Sequence, residues 1–168
     1  MNTNSEFLQF GLSEETLKTI LEKGFEVPSP IQKLALPVLL NETCDIIGQA
    51  QTGTGKTAAF GLPIIEGLAK GKDGKINAII LVPTRELALQ VTDEIISFKG
   101  NRHINIITVY GGQSISEQQR RLRRGADVVV GTPGRVLDLI KRKDLLLDNI
   151  AWAVLDEADE MLNLGFIE

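Results

Sequence analysis

Asp45-Ile46-Ile47-Gly48-Gln49-Ala50-Gln51-Thr52-Gly53-Thr54-Gly55-Lys56-Thr57 is the stretch on which the fold turns. Its first five residues form a short apolar run of strand length. The next eight are rich in glycine and threonine, and a helical composition follows them. In a loop joining a strand to a helix, Gly53 and Gly55 let backbone N–H groups turn inward. The helix N-terminus adds positive potential, and the combination cradles phosphate. Lys56 places a point charge for the β- and γ-phosphates, and the Thr57 hydroxyl can ligate Mg²⁺. The spacing is that of the Walker A pattern, with Ala50 in place of its first glycine. Alone, the loop predicts a nucleoside triphosphate and says little about which base or reaction. The bland alternative, an ordinary glycine-rich turn, is disfavoured by the coincidence of Lys56-Thr57 with a strand–loop–helix context.

Outward from the loop, the chain repeats a short apolar run, a turn and a helix. The runs are Asp45–Gln49, Ile76–Val82, Ile104–Tyr110, Asp127–Val130 and Ile150–Leu155. They are rich in Ile and Val without clean alternation, as in strands buried on both faces. The helices carry start signals and apolar faces. Ser13 can cap a helix with Leu17, Ile20 and Leu21 on one face, which ends at Gly24. Ser29-Pro30 opens the next. Leu87, Ala88, Val91, Ile95 and Phe98 form a helical stripe. Ser114 and Glu117 have capping-box spacing. Thr132-Pro133 repeats the cap-then-proline start, with Val136, Leu137 and Ile140 on one face. Alternating strands and helices predict an α/β fold, a mostly parallel sheet flanked by helices. In such sheets ligands bind beyond the carboxyl ends of the strands, so functional residues are expected just after each strand.

Asp156-Glu157 meets that condition, following the run Ala151–Leu155. Two adjacent carboxylates at the end of a buried strand are costly unless a cation or a water uses them. Asp156 suits a magnesium shell, and Glu157 is placed to orient or deprotonate an attacking water. The alternative is a pair of acids at a helix N-terminus, favoured by its dipole.

Composition bounds the rest. The chain has 168 residues, 43% hydrophobic and 24% charged, which suits one globular domain. The formal net charge of −4 speaks against binding nucleic acid by bulk charge, though not against a local phosphate site. Met1–Glu6 is polar and lacks a signal-peptide pattern. No apolar run approaches the ~20 residues that span a bilayer. Cys44 is the single cysteine, which excludes an internal disulfide and fits a reducing, cytoplasmic setting. A nucleoid or nuclear setting stays open. Three further features carry no site. Arg120, Arg121, Arg123 and Arg124 with Leu122 between them fit a solvated helix face better than a phosphate-binding patch. His103, the single histidine, argues against a histidine metal site. Trp152 is expected in the core.

The acidic stretch Asp156-Glu157-Ala158-Asp159 spells DEAD, and with the loop it resembles the DEAD-box family of RNA helicases. Four other stretches agree, in the family's order. Gly24-Phe25-Glu26-Val27-Pro28-Ser29-Pro30-Ile31-Gln32 is similar to the adenine-sensing Q motif. A Gln side chain donates and accepts at once, which matches the adenine edge. The resemblance therefore implies an ATP site of Phe25, Gln32, Gln51, Thr52, Gly53, Thr54, Gly55, Lys56 and Thr57. Phe7 is either an aromatic partner of the base or a core residue of the first helix. Pro83-Thr84-Arg85-Glu86-Leu87-Ala88 resembles motif Ia, Gly111-Gly112 the GG motif, and Thr132-Pro133-Gly134-Arg135 motif Ib.

In that family these motifs contact the sugar–phosphate backbone of single-stranded RNA. The residue types suit phosphate, and none reads a base edge. Implied RNA contacts are thus Pro83, Thr84, Arg85, Gly111, Gly112, Thr132, Pro133, Gly134 and Arg135. Implied catalytic residues are Lys56, Asp156 and Glu157, with Thr57 and Asp156 on Mg²⁺, and Asp159 coupling to another motif. The implied activity is ATP hydrolysis coupled to local unwinding of RNA, with no membrane role.

The resemblance spans roughly Phe7 to Phe166, the N-terminal RecA-like domain of such an enzyme. The family continues with a Ser-Ala-Thr motif on another strand and a second RecA-like domain carrying arginines of the ATP site. Neither is in this sequence. The absent strand would lie between those of the phosphate loop and the acidic pair, a central gap. The chain alone is therefore expected to bind nucleotide and hydrolyse it poorly, and either to be less stable than a full domain or to recruit another chain. The rival readings are a non-helicase P-loop ATPase, such as a transport or remodelling subunit, and a catalytically incomplete binding module.

Overall fold

The computed structural model describes residues 5–42, 44–69 and 75–166. Residues 1–4 of the polar N-terminal stretch lie outside the described residues. The chain divides into two compact units, Met1–Gly71 with Glu94–His103, and Lys72–Asp93 with Ile104–Glu168.

The first unit is helical. A 3-10 turn, Glu6–Phe10, precedes α1 (Glu14–Glu22), α2 (Pro30–Asn41) and α3 (Lys56–Ala69). The starts follow the local chemistry expected of them. Ser13 Oγ accepts from Thr16 N at the head of α1. Gly24, at φ 81°, closes it with bonds from Gly24 N to Leu21 O and from Phe25 N to Ile20 O. Ser29 and Gln32 form a full capping box at α2, with Pro30 in its first turn. The buried side chains include Phe7, Ile20, Leu36, Leu62, Ile64, Ile65, Ile95 and Phe98. Gly61 of α3 is tight against Phe98, whose ring atoms would lie 3.3 and 3.4 Å from an added Cβ. Glu66, buried in α3, accepts from Ser13 N and Oγ, Thr16 Oγ1 and Arg102 Nη2, so one carboxylate ties α1 to the segment after α4.

Among the described residues the second unit holds four parallel strands: β1 (Ala78–Leu81), β2 (Ile106–Val109), β3 (Val128–Gly131) and β4 (Trp152–Leu155). Their order is β2-β3-β1-β4. Helix α4 (Arg85–Phe98) follows β1, α5 (Ile115–Arg123) follows β2, α6 (Pro133–Lys141) follows β3, and α7 (Ala158–Asn163) follows β4. Ile107, Val129 and Ile79 stand side by side in register and pack with Leu122 of α5 and Val136 and Leu139 of α6. The neighbouring row turns to the opposite face, where Thr108 Oγ1 bonds Thr92 Oγ1 of α4 at 2.8 Å. β2 and β3 are buried along their whole length, as the unbroken apolar runs require.

Several local expectations are corrected. Asp45–Gln49 is not a strand: it pairs with none of the described strands, and Ile46 and Ile47 are exposed. A strand exists only through its ladder partners, and apolar composition does not supply them. Trp152 is half-buried rather than core, because β4 is the edge of the described sheet and its burial alternates. In α6, Leu139 joins the buried face and Leu137 is exposed. Residues 136, 139 and 140 share a side at helical spacing, and 137 points away. The capping box at α5 does not form, since Ser114 Oγ pairs with Ser116 Oγ at 2.7 Å instead. At α6, Thr132 is the N-cap residue but its hydroxyl makes no cap bond.

Candidate nucleotide and nucleic-acid site

In the first unit the phosphate loop opens α3 at Lys56. Gly53 and Gly55 both hold left-handed backbone, φ 77° and 83°, a region that glycine enters without a Cβ penalty. Thr54 Oγ1 donates to Gln51 O at 2.6 Å and stiffens the turn. Gln51, Thr52 and Gly53 are exposed, and Thr54, Gly55, Lys56 and Thr57 are half-buried. The loop thus presents backbone and one ammonium at a helix N-terminus, the donor set of a polyphosphate cradle.

Gln32 is joined directly to this cradle. It is 4% exposed. Its Oε1 accepts from Ser29 N at 2.9 Å, and its Nε2 donates to Gly55 O at 3.1 Å. One amide therefore serves both the cap of α2 and the phosphate loop. Each end keeps one further donor or acceptor site. Phe25, half-buried, stacks against the fully buried Phe7 with ring centroids 6.4 Å apart. Of the two readings of Phe7, this is the core position; the ring has no exposed surface.

In the second unit the strand register lines up the candidate residues. Leu81, Gly131, Val109 and Leu155, the last residues of the four strands, are mutual partners across the sheet. The segments just after them therefore share one edge, at roughly 4.8 Å per strand. In spatial order they are Gly111-Gly112, Thr132–Arg135, Pro83–Arg85 and Asp156-Glu157. Gly131 is required here: a Cβ would lie 2.5 Å from Val109 Cγ2, 2.7 Å from Val109 O and 2.7 Å from Val136 Cγ2.

Side chains tie the first three segments together. Thr84 Oγ1 accepts from Leu87 N at 3.2 Å and caps α4. The Arg85 guanidinium lies 4.9 Å from the centroid of the Tyr110 ring, reaching over the end of β3. Arg135 donates from Nη1 and Nη2 to Gln113 O, both at 3.2 Å, and from Nη1 to Gln118 Oε1 at 3.0 Å. Gln118 Nε2 donates to Tyr110 O at 3.0 Å. Tyr110, Gln113 and Gln118 were not among the expected site residues. The signal for Gln118 was present: a glutamine between Ile115 and Leu122 on the apolar stripe of α5.

Asp156 is 8% exposed, and its backbone N donates to Leu81 O at 3.0 Å, which extends the ladder past β4. Glu157 has φ 54° and ψ 47°, left-handed backbone for a residue with a side chain. Such conformations cost about 1–2 kcal/mol and concentrate at functional positions. Asp159 is exposed in the first turn of α7. Among the described residues no cluster of three or more His, Cys, Asp or Glu side chains forms a self-sufficient metal cage. Oxygen donors of the kind magnesium takes, a hydroxyl at Thr57 and a carboxylate at Asp156, are present in the first and second units respectively. His103 and all four arginines from Arg120 to Arg124 are exposed, and Arg123 pairs with Asp144 at 3.3 Å.

Comparison with known proteins gives one result throughout. Residues 29–168 match the model of the DEAD/DEAH box helicase family. The ATP-dependent RNA helicase CshA of Listeria monocytogenes is 51% identical over 164 residues, 98% of this chain and 31% of its own length. The RNA helicase CrhR of Synechocystis is 52% identical over 164 residues, 98% of this chain and 33% of its own. Among solved structures, a DEAD box protein from Methanococcus jannaschii superposes with a TM-score of 0.91 at 51% identity, over 96% of this chain and 44% of that one. Prp28 from Chaetomium thermophilum bound to ADP gives 0.86 at 38% identity, over 98% and 40%. The chain thus spans about a third of the length of these curated relatives. The fold, the strand-end motifs and the family model agree: the chain belongs to the DEAD/DEAH box helicase family.

Proposed function

We propose that this chain is the ATP- and RNA-binding part of an ATP-dependent RNA helicase. The observation that carries the reading is the sheet register, which sets three phosphate-compatible segments side by side at one strand edge. Thr84, Arg85, Gly111, Gly112, Thr132, Gly134 and Arg135 hold successive phosphates of single-stranded RNA, with Pro83 and Pro133 shaping the turns. None of these faces a base edge by chemistry, so binding is sequence-independent. The phosphate loop, residues 51–57, holds the triphosphate, and Lys56 neutralises its charge as bonds break. Gln32 recognises adenine, and the Phe25 ring, backed by Phe7, supplies an apolar surface for the base. Magnesium would supply electrostatic stabilisation of the phosphoryl group; Thr57 and Asp156 are the residues the family resemblance implies would hold it. Glu157 orients the attacking water.

The relatives' greater length supports placing the remaining parts of the ATPase, a Ser-Ala-Thr strand and a second RecA-like domain with its arginines, on further chain. Arginines of this kind are worth ~10³–10⁵ in rate, so these residues alone bind nucleotide and turn it over slowly. Asp159 couples to those parts. A cytoplasmic location completes the proposal. The deciding experiment is a titration with fluorescent ATP and GTP analogues. Preference for ATP that is lost in Gln32→Ala, with binding of both lost in Lys56→Ala, is expected. Equal affinity for both bases in the unaltered protein overturns the adenine reading.

A further inference from the structure

We propose that Gln118 is a positioning residue for the RNA-facing edge, acting through Arg135 and the Tyr110–Gln113 turn. The inference rests on the reading of that edge as an RNA-backbone site. Gln118 is 1% exposed and stands on the apolar stripe of α5 with the buried Leu122. A buried primary amide is costly unless both of its ends are paired, and a leucine would fill the same volume without that demand. Both ends are paired here, and with the functional edge rather than with α5's own neighbours. Nε2 holds Tyr110 O, at the end of β2, and Oε1 holds Arg135 Nη1, at the start of α6.

The consequence for Arg135 is geometric. A guanidinium has five N–H donors in a fixed plane. Three of them are used, two forked onto Gln113 O and one on Gln118 Oε1. The edge formed by Nε and Nη2 has no partner among the described residues. That edge is the one that grips a phosphate with two parallel bonds. Gln118 therefore fixes the fork's orientation before RNA arrives, and the ordering cost of a long side chain is met in advance. Through Tyr110 O it also holds the backbone from which the Tyr110 ring projects, and the Arg85 guanidinium lies 4.9 Å from that ring's centroid. One buried amide thus orients Arg135 directly and anchors the turn beside Arg85.

The test is equilibrium binding of a fluorescein-labelled oligouridine to the protein with a non-hydrolysable ATP analogue, repeated across salt concentrations. Gln118→Leu is expected to weaken binding roughly tenfold, the ratio given by 1.4 kcal/mol. It is also expected to lower the slope of log affinity against log salt by about 0.7, one phosphate contact on a single strand. Arg135→Gln is expected to give the same slope loss, and the double variant no more than either alone. Gln118→Met keeps the unbranched shape and takes the place of the leucine variant if that one fails to fold. A variant that folds, with full affinity and an unchanged slope, overturns the inference while leaving the RNA reading intact. Additive slope losses in the double variant overturn it as well. Absence of saturable RNA binding by the unaltered protein overturns both together.

Discussion

Gly55→Ala tests the join between the base-sensing segment and the phosphate loop. Gly55 sits at φ 83°, and a Cβ there would overlap Gln32 Nε2 and lie 3.3 Å from Gln32 Cδ. Three effects set the magnitude. Left-handed backbone costs an alanine about 1–2 kcal/mol. Pushing the amide aside loses the bond from Gln32 Nε2 to Gly55 O, worth about 1 kcal/mol. The stiffer unfolded chain returns about 0.5 kcal/mol. The net is about 2 kcal/mol, or a fall in melting temperature of about 6 °C for a chain of this size. Circular-dichroism melts measure it, and titration with a fluorescent ATP analogue should show at least a roughly tenfold loss of affinity. Coupling sharpens the test. In a Gln32→Ala background the Cβ has room, so Gly55→Ala should cost about 1 kcal/mol less there than in the unaltered protein. Strictly additive effects, or a melt within about 1 °C with unchanged nucleotide affinity, would refute the claim that Gln32 and the loop act as one unit.

Two stability predictions concern the separate units. Gly131→Ala forces a Cβ to within 2.7 Å of Val109 O, a carbonyl held by Thr132 N at 3.1 Å. A loss of about 3 kcal/mol is expected, the upper range for overpacking, and a melt unchanged from wild type would contradict the close approach of β2 and β3. Glu66→Ala takes one of two carboxylates from Arg102, whose side chain is 11% exposed, and removes the acceptor of Ser13 and Thr16. Glu15 stays 3.5 Å from Arg102 and keeps the charge partly paired, so a loss of about 2 kcal/mol is expected, below that for a buried charge left alone. Glu66→Gln should lose less, and a urea midpoint equal for both variants would count against the ion pair.

What the sequence made legible was short-range. Ser13, Ser29-Pro30, Gly24 and Thr132-Pro133 mark helix ends because caps and prolines act on their own turn. Three of the four described strands lie inside the expected apolar runs and β3 extends one residue past its run, to Gly131; their ends lead into the expected segments. What it did not show depends on partners distant in sequence. Ile46 and Ile47 have strand composition, yet no described strand pairs with them. Leu137 and Leu139 are equally apolar, and only packing against β1, β2 and β3 separates the buried one from the exposed one. Gln32 was read for the base, while its bonds to Ser29 N and Gly55 O, formed on folding, were not foreseen. Gln118 stands in sequence beside four exposed arginines, and only its place on an apolar stripe marks it as a polar residue that needs a buried partner.

The most direct measurement of the whole account is RNA binding compared across sequences. Labelled single strands of oligouridine, oligoadenosine and mixed sequence would be titrated with the protein in the presence of a non-hydrolysable ATP analogue. The strand-edge arrangement predicts affinities within a few-fold of one another, all falling steeply with salt and all weakened by Arg85→Ala. Strong preference for one sequence, or binding indifferent to Arg85→Ala and to salt, would contradict a backbone site at the ends of β1, β2 and β3.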